Sequence, residues 1–216
     1  MIISPGRGYI FVHIPKTGGT SMALALEARA MKDDMMLGDT PKAMKRRRKL
    51  RDVKTRGRLW KHSTLTDIDG LLSPDEIAGY FCFTLVRNPW DRMVSYYTWL
   101  QDQTFDHPAV RLAQQLEFNA FVLHDQTLAS LRAAPAQSYM TDAKGVEHDG
   151  AYVRIERFEQ DIAPVVSKLG FEIQLSRANA TDRDPDWRKF YSDKAAESLF
   201  KATESDAMRF KYTLDG

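Results

Sequence analysis

The sequence is poor in residues that staple or ligate. Its one cysteine, Cys82, excludes an internal disulfide framework and a cysteine-rich zinc site. Five histidines stand apart with no HExxH-type spacing, so no metal is expected. Long apolar runs are missing too. The longest, Tyr80 to Val86, is seven residues, against the ~20 needed to cross a bilayer. Met1 leads within a few residues into a strand-like run, with nothing resembling a secretion leader. These absences predict a soluble, cytoplasmic protein without a transmembrane segment. Net charge is also scarce, at +2 from 31 Lys+Arg and 29 Asp+Glu.

The 216 residues are 43% hydrophobic, enough to bury a core, and the length predicts one domain over 1–216. The small net charge hides an asymmetry. Between Pro41 and Lys61 stand eleven basic residues (Lys42, Lys45, Arg46, Arg47, Arg48, Lys49, Arg51, Lys54, Arg56, Arg58, Lys61) and one acid, Asp52. The rest of the chain holds 20 basic and 28 acidic residues, a net of −8. An acidic body therefore carries a basic insertion at about 38–61.

Tyr9 to Ile14 reads as a buried strand, a β-branched and aromatic run ended by Pro15. A Gly-rich turn follows, then a helix from about Thr20 to Met31. Ser73-Pro74-Asp75-Glu76 carries the marks of a helix start: Ser as N-cap, Pro at the first position, Glu three after the cap. Tyr80 to Val86 is a second buried strand, stopped at Arg87-Asn88-Pro89. Trp90, Met93, Val94, Tyr97 and Leu100 then repeat at helical spacing. Further helices are predicted over 108–131, 161–169 and 192–210, a third strand over 152–155, and loops over 134–150 and 178–187. Strands alternating with helices predict an α/β layer fold around a parallel sheet.

Pro15-Lys16-Thr17-Gly18-Gly19-Thr20-Ser21 is the first candidate site. A turn from a parallel strand into a helix directs backbone N–H groups at the positive end of the helix dipole, which suits an anion. Gly18 and Gly19 permit close approach, Thr20 and Ser21 can donate, and Lys16 adds a full charge. The loop is not a Walker A pattern, because Lys16 precedes the glycines. The second strand ends in Arg87-Asn88, where a nucleotide triphosphatase would want a magnesium-holding Asp. A cation there suggests that side chains neutralise the anion, which sulfuryl transfer tolerates. Arg87 sits at a strand's carboxyl end and Ser95 about two turns into the next helix, so the two can grip one phosphate. A plain salt bridge is the competing role for Arg87, and helix capping and bracing for Asp91 and Arg92.

Phe11 through Met22 resembles the 5′-phosphosulfate loop of sulfotransferases that use 3′-phosphoadenosine-5′-phosphosulfate (PAPS). Phe83 through Arg92, with Ser95 and Tyr97, resembles their 3′-phosphate motif. The match lies nearest the carbohydrate (heparan, dermatan and chondroitin) branch and its bacterial relatives. Weaker echoes are Gln137, Ile155-Glu156-Arg157-Phe158-Glu159, Asn179 and Phe210-Lys211-Tyr212. The resemblance implies a P-loop-like three-layer fold with PAPS as donor, adenosine 3′,5′-bisphosphate as product, and no metal. Lys16 would contact the bridging oxygen and sulfonate; Thr17, Gly18, Gly19, Thr20 and Ser21 would hold the 5′-phosphate; Arg87 and Ser95 would hold the 3′-phosphate, with Arg157 a further donor-site cation.

An acceptor hydroxyl or amine needs a base. His62 lies between the two motifs and resembles the catalytic histidine of the carbohydrate enzymes; Glu27 or another acid is the alternative. His13 reads as structural, and His107, His124 and His148 as bystanders. The basic segment is either a solvated face or a patch steering an anionic acceptor: an acidic glycan, a glycolipid or a phosphorylated lipid headgroup. A small hydroxyl compound and peripheral membrane contact also fit. Nucleic acid is not expected, since Trp60 alone could stack. The competing readings are a nucleotide-dependent phosphotransferase and a non-enzymatic polyanion- or nucleic-acid-binding module.

Overall fold

The computed structural model describes residues 1–175 and 184–214, in two compact units, Met1–Val86 with Ala136–Asn179 and Arg87–Pro135 with Ala180–Gly216. The first is built on a five-stranded sheet of β1 (Ile2–Ser4), β2 (Tyr9–Val12), β3 (Met35–Met36), β4 (Phe81–Val86) and β5 (Ala151–Arg154), in the order β3-β1-β2-β4-β5. β2, β4 and β5 are parallel, so their carboxyl ends share one edge. β1 and β3 pair antiparallel, which makes the sheet mixed rather than wholly parallel.

Period-two alternation explains the continuous apolar runs. Tyr9, Phe11, Phe83, Leu85 and Val153 pack into one cluster, with Met22 and Leu26 of helix α1 (Gly19–Ala28). Ile10, Val12 and Cys82 pack into a second cluster with Leu65, Ile68, Leu72 and Ile77. Burial on both faces is what a parallel strand requires, each such side chain contributing about 1.5–3 kcal/mol. Polar Thr84 fits in β4 because its hydroxyl donates to the Val12 carbonyl at 2.8 Å. The remaining helices of this unit are α2 (Pro41–Arg47) and α3 (Pro74–Ile77) before β4, with α8 (Ala136–Tyr139), α9 (Phe158–Asp161) and α10 (Ala163–Leu169) numbered after those of the second unit.

The second unit holds α4 (Pro89–Gln101), α5 (Pro108–Gln115), α6 (Phe118–Leu123), α7 (Asp125–Ala133) and α11 (Asp193–Phe210). Its centre is Trp90, stacked on Trp187 and Phe200 with centroids 6.2 Å away in each case. The indole N–H donates to the Ala196 carbonyl at 3.1 Å.

Several expected boundaries change. The helix over 108–131 is three helices, because Leu116 is extended and His124 caps a new start through a hydrogen bond from the Gln126 N–H. Helix α1 stops at Ala28 instead of Met31, where Asp34 accepts the Met31 N–H at 2.9 Å and offers the backbone an alternative to the helix. β2 stops at Val12, where its pairing with β4 ends. The loop over 134–150 contains α8, and the expected helix over 161–169 is α10, starting at Ala163, with the short α9 before it. Asn179 and the rest of 178–183 in the expected 178–187 loop lie outside the described residues. Among those residues, no helix is long and apolar enough to cross a membrane.

Candidate active site

The loop after β2 is shaped by backbone rather than by side-chain capping. Lys16 takes φ 65° and Gly18 φ 85°, both left-handed. For a lysine this costs about 1–2 kcal/mol, a strain of the kind found at functional sites. Gly18 is the N-cap of α1, and no side chain caps that start. The opening amides stand at the dipole's positive end without a side-chain cap. Gly18 is required by its left-handed backbone and Gly19 by space, since a Cβ there would run into the His13 ring; a Cβ at Gly18 would also meet the tip of Ile155. Thr17 is buried and its hydroxyl donates to the Ile14 carbonyl at 2.9 Å, bracing the turn. Its contribution to an anion falls to its backbone.

His62 reaches the same loop. Its Nδ1 donates to the His13 carbonyl at 2.8 Å, which leaves the lone pair on Nε2. Its ring meets that of His13 edge-on with centroids 4.5 Å away, and Trp60 at 4.9 Å. Burial lowers the His62 pKa to about 4; the His13 carbonyl pulls the other way and the Lys61 charge reinforces the fall. Burial also holds His13 well below the ordinary histidine value. Both rings are neutral at pH 7.

A cavity of about 260 Å³ is lined by His13, Thr20, Glu27, Asp39 and Lys61, among others. Glu27, the alternative base, has both carboxylate oxygens within 2.8 Å of the Thr40 hydroxyl, while Lys61 pairs with Asp39 at 2.7 Å. After β5, Arg157 is exposed at the end of a short 3-10 turn that begins with Ile155, the residue over Gly18. Sequence reasoning missed Arg154, which grips Asp161 through two guanidinium nitrogens at 2.6 and 2.9 Å. The signal available was an arginine ending a parallel strand.

In the second unit, Arg87 pairs with Asp91 through Nε and a terminal nitrogen, each at 2.7 Å from Oδ2. Ser95 is buried one turn beyond Asp91, on the same helix face. The competing salt-bridge role for Arg87 is thus realised, with a residue of the motif itself. Asn88 Oδ1 accepts from the Trp90 and Asp91 amides at 3.0 and 3.4 Å and caps α4, with Pro89 at its first position. The remaining histidines have structural work: His107 and His124 cap helices and His148 pairs with Asp142 at 2.8 Å.

Seven of the eleven basic residues fall into two sets. Lys42 donates to the Glu27 carbonyl at 2.7 Å, Arg46 to those of Met31 and Asp34, and Arg58 lies over Trp60. Lys45, Arg47, Arg48 and Arg51 line an open groove instead. Among the echoes, Gln137 lies exposed on α8, while Phe210 and Tyr212 are buried near the end of the second unit.

A comparison with curated proteins gives no match. The solved structure of mouse sulfotransferase SULT7A1 complexed with PAP is similar at 14% identity and a TM-score of 0.45, over 95% of this chain and 85% of that one. The sulfotransferase family model matches residues 1–212. That span takes in every candidate residue named above, and the chain belongs to the sulfotransferase family, the enzymes of sulfuryl transfer.

Proposed function

We propose that residues 1–216 act as one transferase domain that moves the sulfuryl group of PAPS to a hydroxyl or amine of an anionic glycan or glycolipid. The products are the sulfated acceptor and adenosine 3′,5′-bisphosphate. The observation carrying this reading is the loop after β2: left-handed Lys16 and Gly18 open α1 without a side-chain cap, and the same loop's His13 carbonyl sets the His62 tautomer.

The acceptor oxygen attacks sulfur in line, and the bond from sulfur to the bridging oxygen breaks. Its electron pair leaves on the 5′-phosphate, where the Lys16 ammonium meets the charge as it develops. The proton passes to His62 Nε2, the nitrogen left with a lone pair. Amides of Thr17 through Ser21 and the hydroxyls of Thr20 and Ser21 hold the 5′-phosphate, and Arg87 and Ser95 the 3′-phosphate, with Arg157 as a further cation. Asp91 keeps the Arg87 fork oriented.

Calorimetric titration with adenosine 3′,5′-bisphosphate tests donor use, and mass spectrometry of labelled PAPS with glycans, glycolipids and small alcohols tests the acceptor. Saturable binding and a labelled glycan or glycolipid are expected. Absence of bisphosphate binding, or tighter binding of magnesium-ATP than of PAPS, overturns the proposal.

A further inference from the structure

The groove walled by the basic segment has a volume of about 870 Å³, within the range of ligand sites. Its cations are Lys45, Arg47, Arg48 and Arg51, and no acid lines it among the described residues. The rest of its wall is largely apolar, with Pro41, Met44 and Leu59 among the lining side chains. Met44 is 54% exposed in the most cationic stretch of the chain. A surface that binds a glycan chain or nucleic acid by charge alone gains nothing from such a lining. An apolar floor under a cationic rim instead matches a ligand with one hydrocarbon chain and an anionic head, with arginine stems lying along the chain and their guanidinium groups on the head.

We propose that this groove seats the acyl chain and anionic headgroup of a lipid, and that the acceptor is an anionic glycolipid. Only the second half rests on the transferase reading above. Chain length supports the link. Leu59 on the groove wall precedes His62 by three residues, so their backbones are at most about 11 Å apart. A chain anchored in the groove holds its head within reach of the candidate base.

The test uses the full chain and dodecyl phosphate below its micellar concentration, titrated by calorimetry. Inorganic phosphate and a sulfated hexasaccharide serve as competing probes. The triple variant Arg47→Gln, Arg48→Gln, Arg51→Gln is expected to weaken dodecyl phosphate about 100-fold, roughly fivefold per cation. Met44→Gln, on an exposed side chain, is expected to weaken it about fivefold through lost apolar contact. Both variants keep wild-type affinity for adenosine 3′,5′-bisphosphate. The groove proposal is overturned if dodecyl phosphate binds no tighter than inorganic phosphate. It is equally overturned if Met44→Gln has no effect, or if the hexasaccharide binds more tightly. Amphiphile binding without bisphosphate binding supports the groove and removes the transferase reading; the reverse removes the groove alone.

Discussion

Two loops follow parallel strands and open helices, and they solve the same problem in opposite ways. After β2 the helix start is made by a left-handed Gly18 with no side-chain cap. After β4 it is made by Asn88, whose carbonyl oxygen takes two of the opening amides. Uncapped amides at a positive dipole end remain available to an anion. Amides already held by a cap do not, so an anion there must be met by side chains, and Arg87 and Ser95 are the ones the segment offers. In the proposed function one loop would bind with its backbone amides and the other with its side chains. That difference explains why glycine marks the first and arginine the second.

The largest effects should come from the backbone-built side. His62→Gln is expected to lower turnover by about 10²–10⁴-fold, the range for a lost general base. Its folded pKa of about 4 lies below the ordinary 6.5. In wild type the acid limb of kcat/KM should therefore fall near pH 4; a limb near 6.5 would remove the role. The same shift links to stability. Between pH 6.5 and 4 the unfolded chain binds the proton more readily, so stability is full above that window and is lost as pH falls through it. His62→Gln should flatten that part of the urea midpoint against pH, leaving the share due to His13. Lys16→Ala should lower turnover by about 10²–10³-fold. Lys16→Gly should lose as much turnover with no fall in Tm, since glycine relieves the left-handed strain. Wild-type turnover in Lys16→Gly would leave the backbone alone as the working part.

Both loops were legible because their chemistry is local. Lys16, Gly18 and Gly19 sit between a strand and a helix that composition reveals, and Asn88-Pro89 marks the end of a strand, although the cap of the next helix is Asn88 and not the expected Asp91, which holds Arg87 instead. The Ser73 capping box is likewise formed as expected, with the Ser73 N–H donating to Glu76 and the Glu76 N–H to Ser73. What stayed hidden depends on distant partners or very short pieces. β1 and β3 have three and two residues, too few to show a period, and only pairing makes them strands. His62 stands out in the sequence by position and resemblance, but its tautomer is fixed by the His13 carbonyl, 49 residues away. Eleven like charges could not be sorted by inspection. Arg46 differs from Arg47 because the Met31 and Asp34 carbonyls lie within its reach.

A smaller effect separates the glycines' two uses. Gly19→Ala drives a methyl into the buried His13 ring, an overpacking that costs about 1–3 kcal/mol. Because that ring also meets the His62 ring edge-on, displacement should disturb the base as well. Donor affinity and turnover should therefore fall together, measured by bisphosphate titration and labelled PAPS. A loss of stability with both intact would show that the glycine serves packing alone.

The smallest effect belongs to the side-chain-built loop. Asn88→Ala removes the acceptor for the Trp90 and Asp91 amides, and a lost cap costs about 1 kcal/mol, or roughly 2–4 °C in Tm at this chain length. Asn88→Asp should restore the cap's share of that stability, because it also caps and adds a charge favourable to the dipole, but not the bond that Asn88 Nδ2 donates to the Thr213 carbonyl at 3.3 Å. It also places a carboxylate beside Arg87 in sequence, competing for the guanidinium with the proposed 3′-phosphate. If binding there depends on side chains, Asn88→Asp should be more stable than Asn88→Ala yet weaker toward adenosine 3′,5′-bisphosphate, while Asn88→Ala should be less stable with nearly unchanged affinity. If the α4 amides bind the phosphate instead, Asn88→Ala frees them and should tighten binding, and the contrast between the two loops collapses.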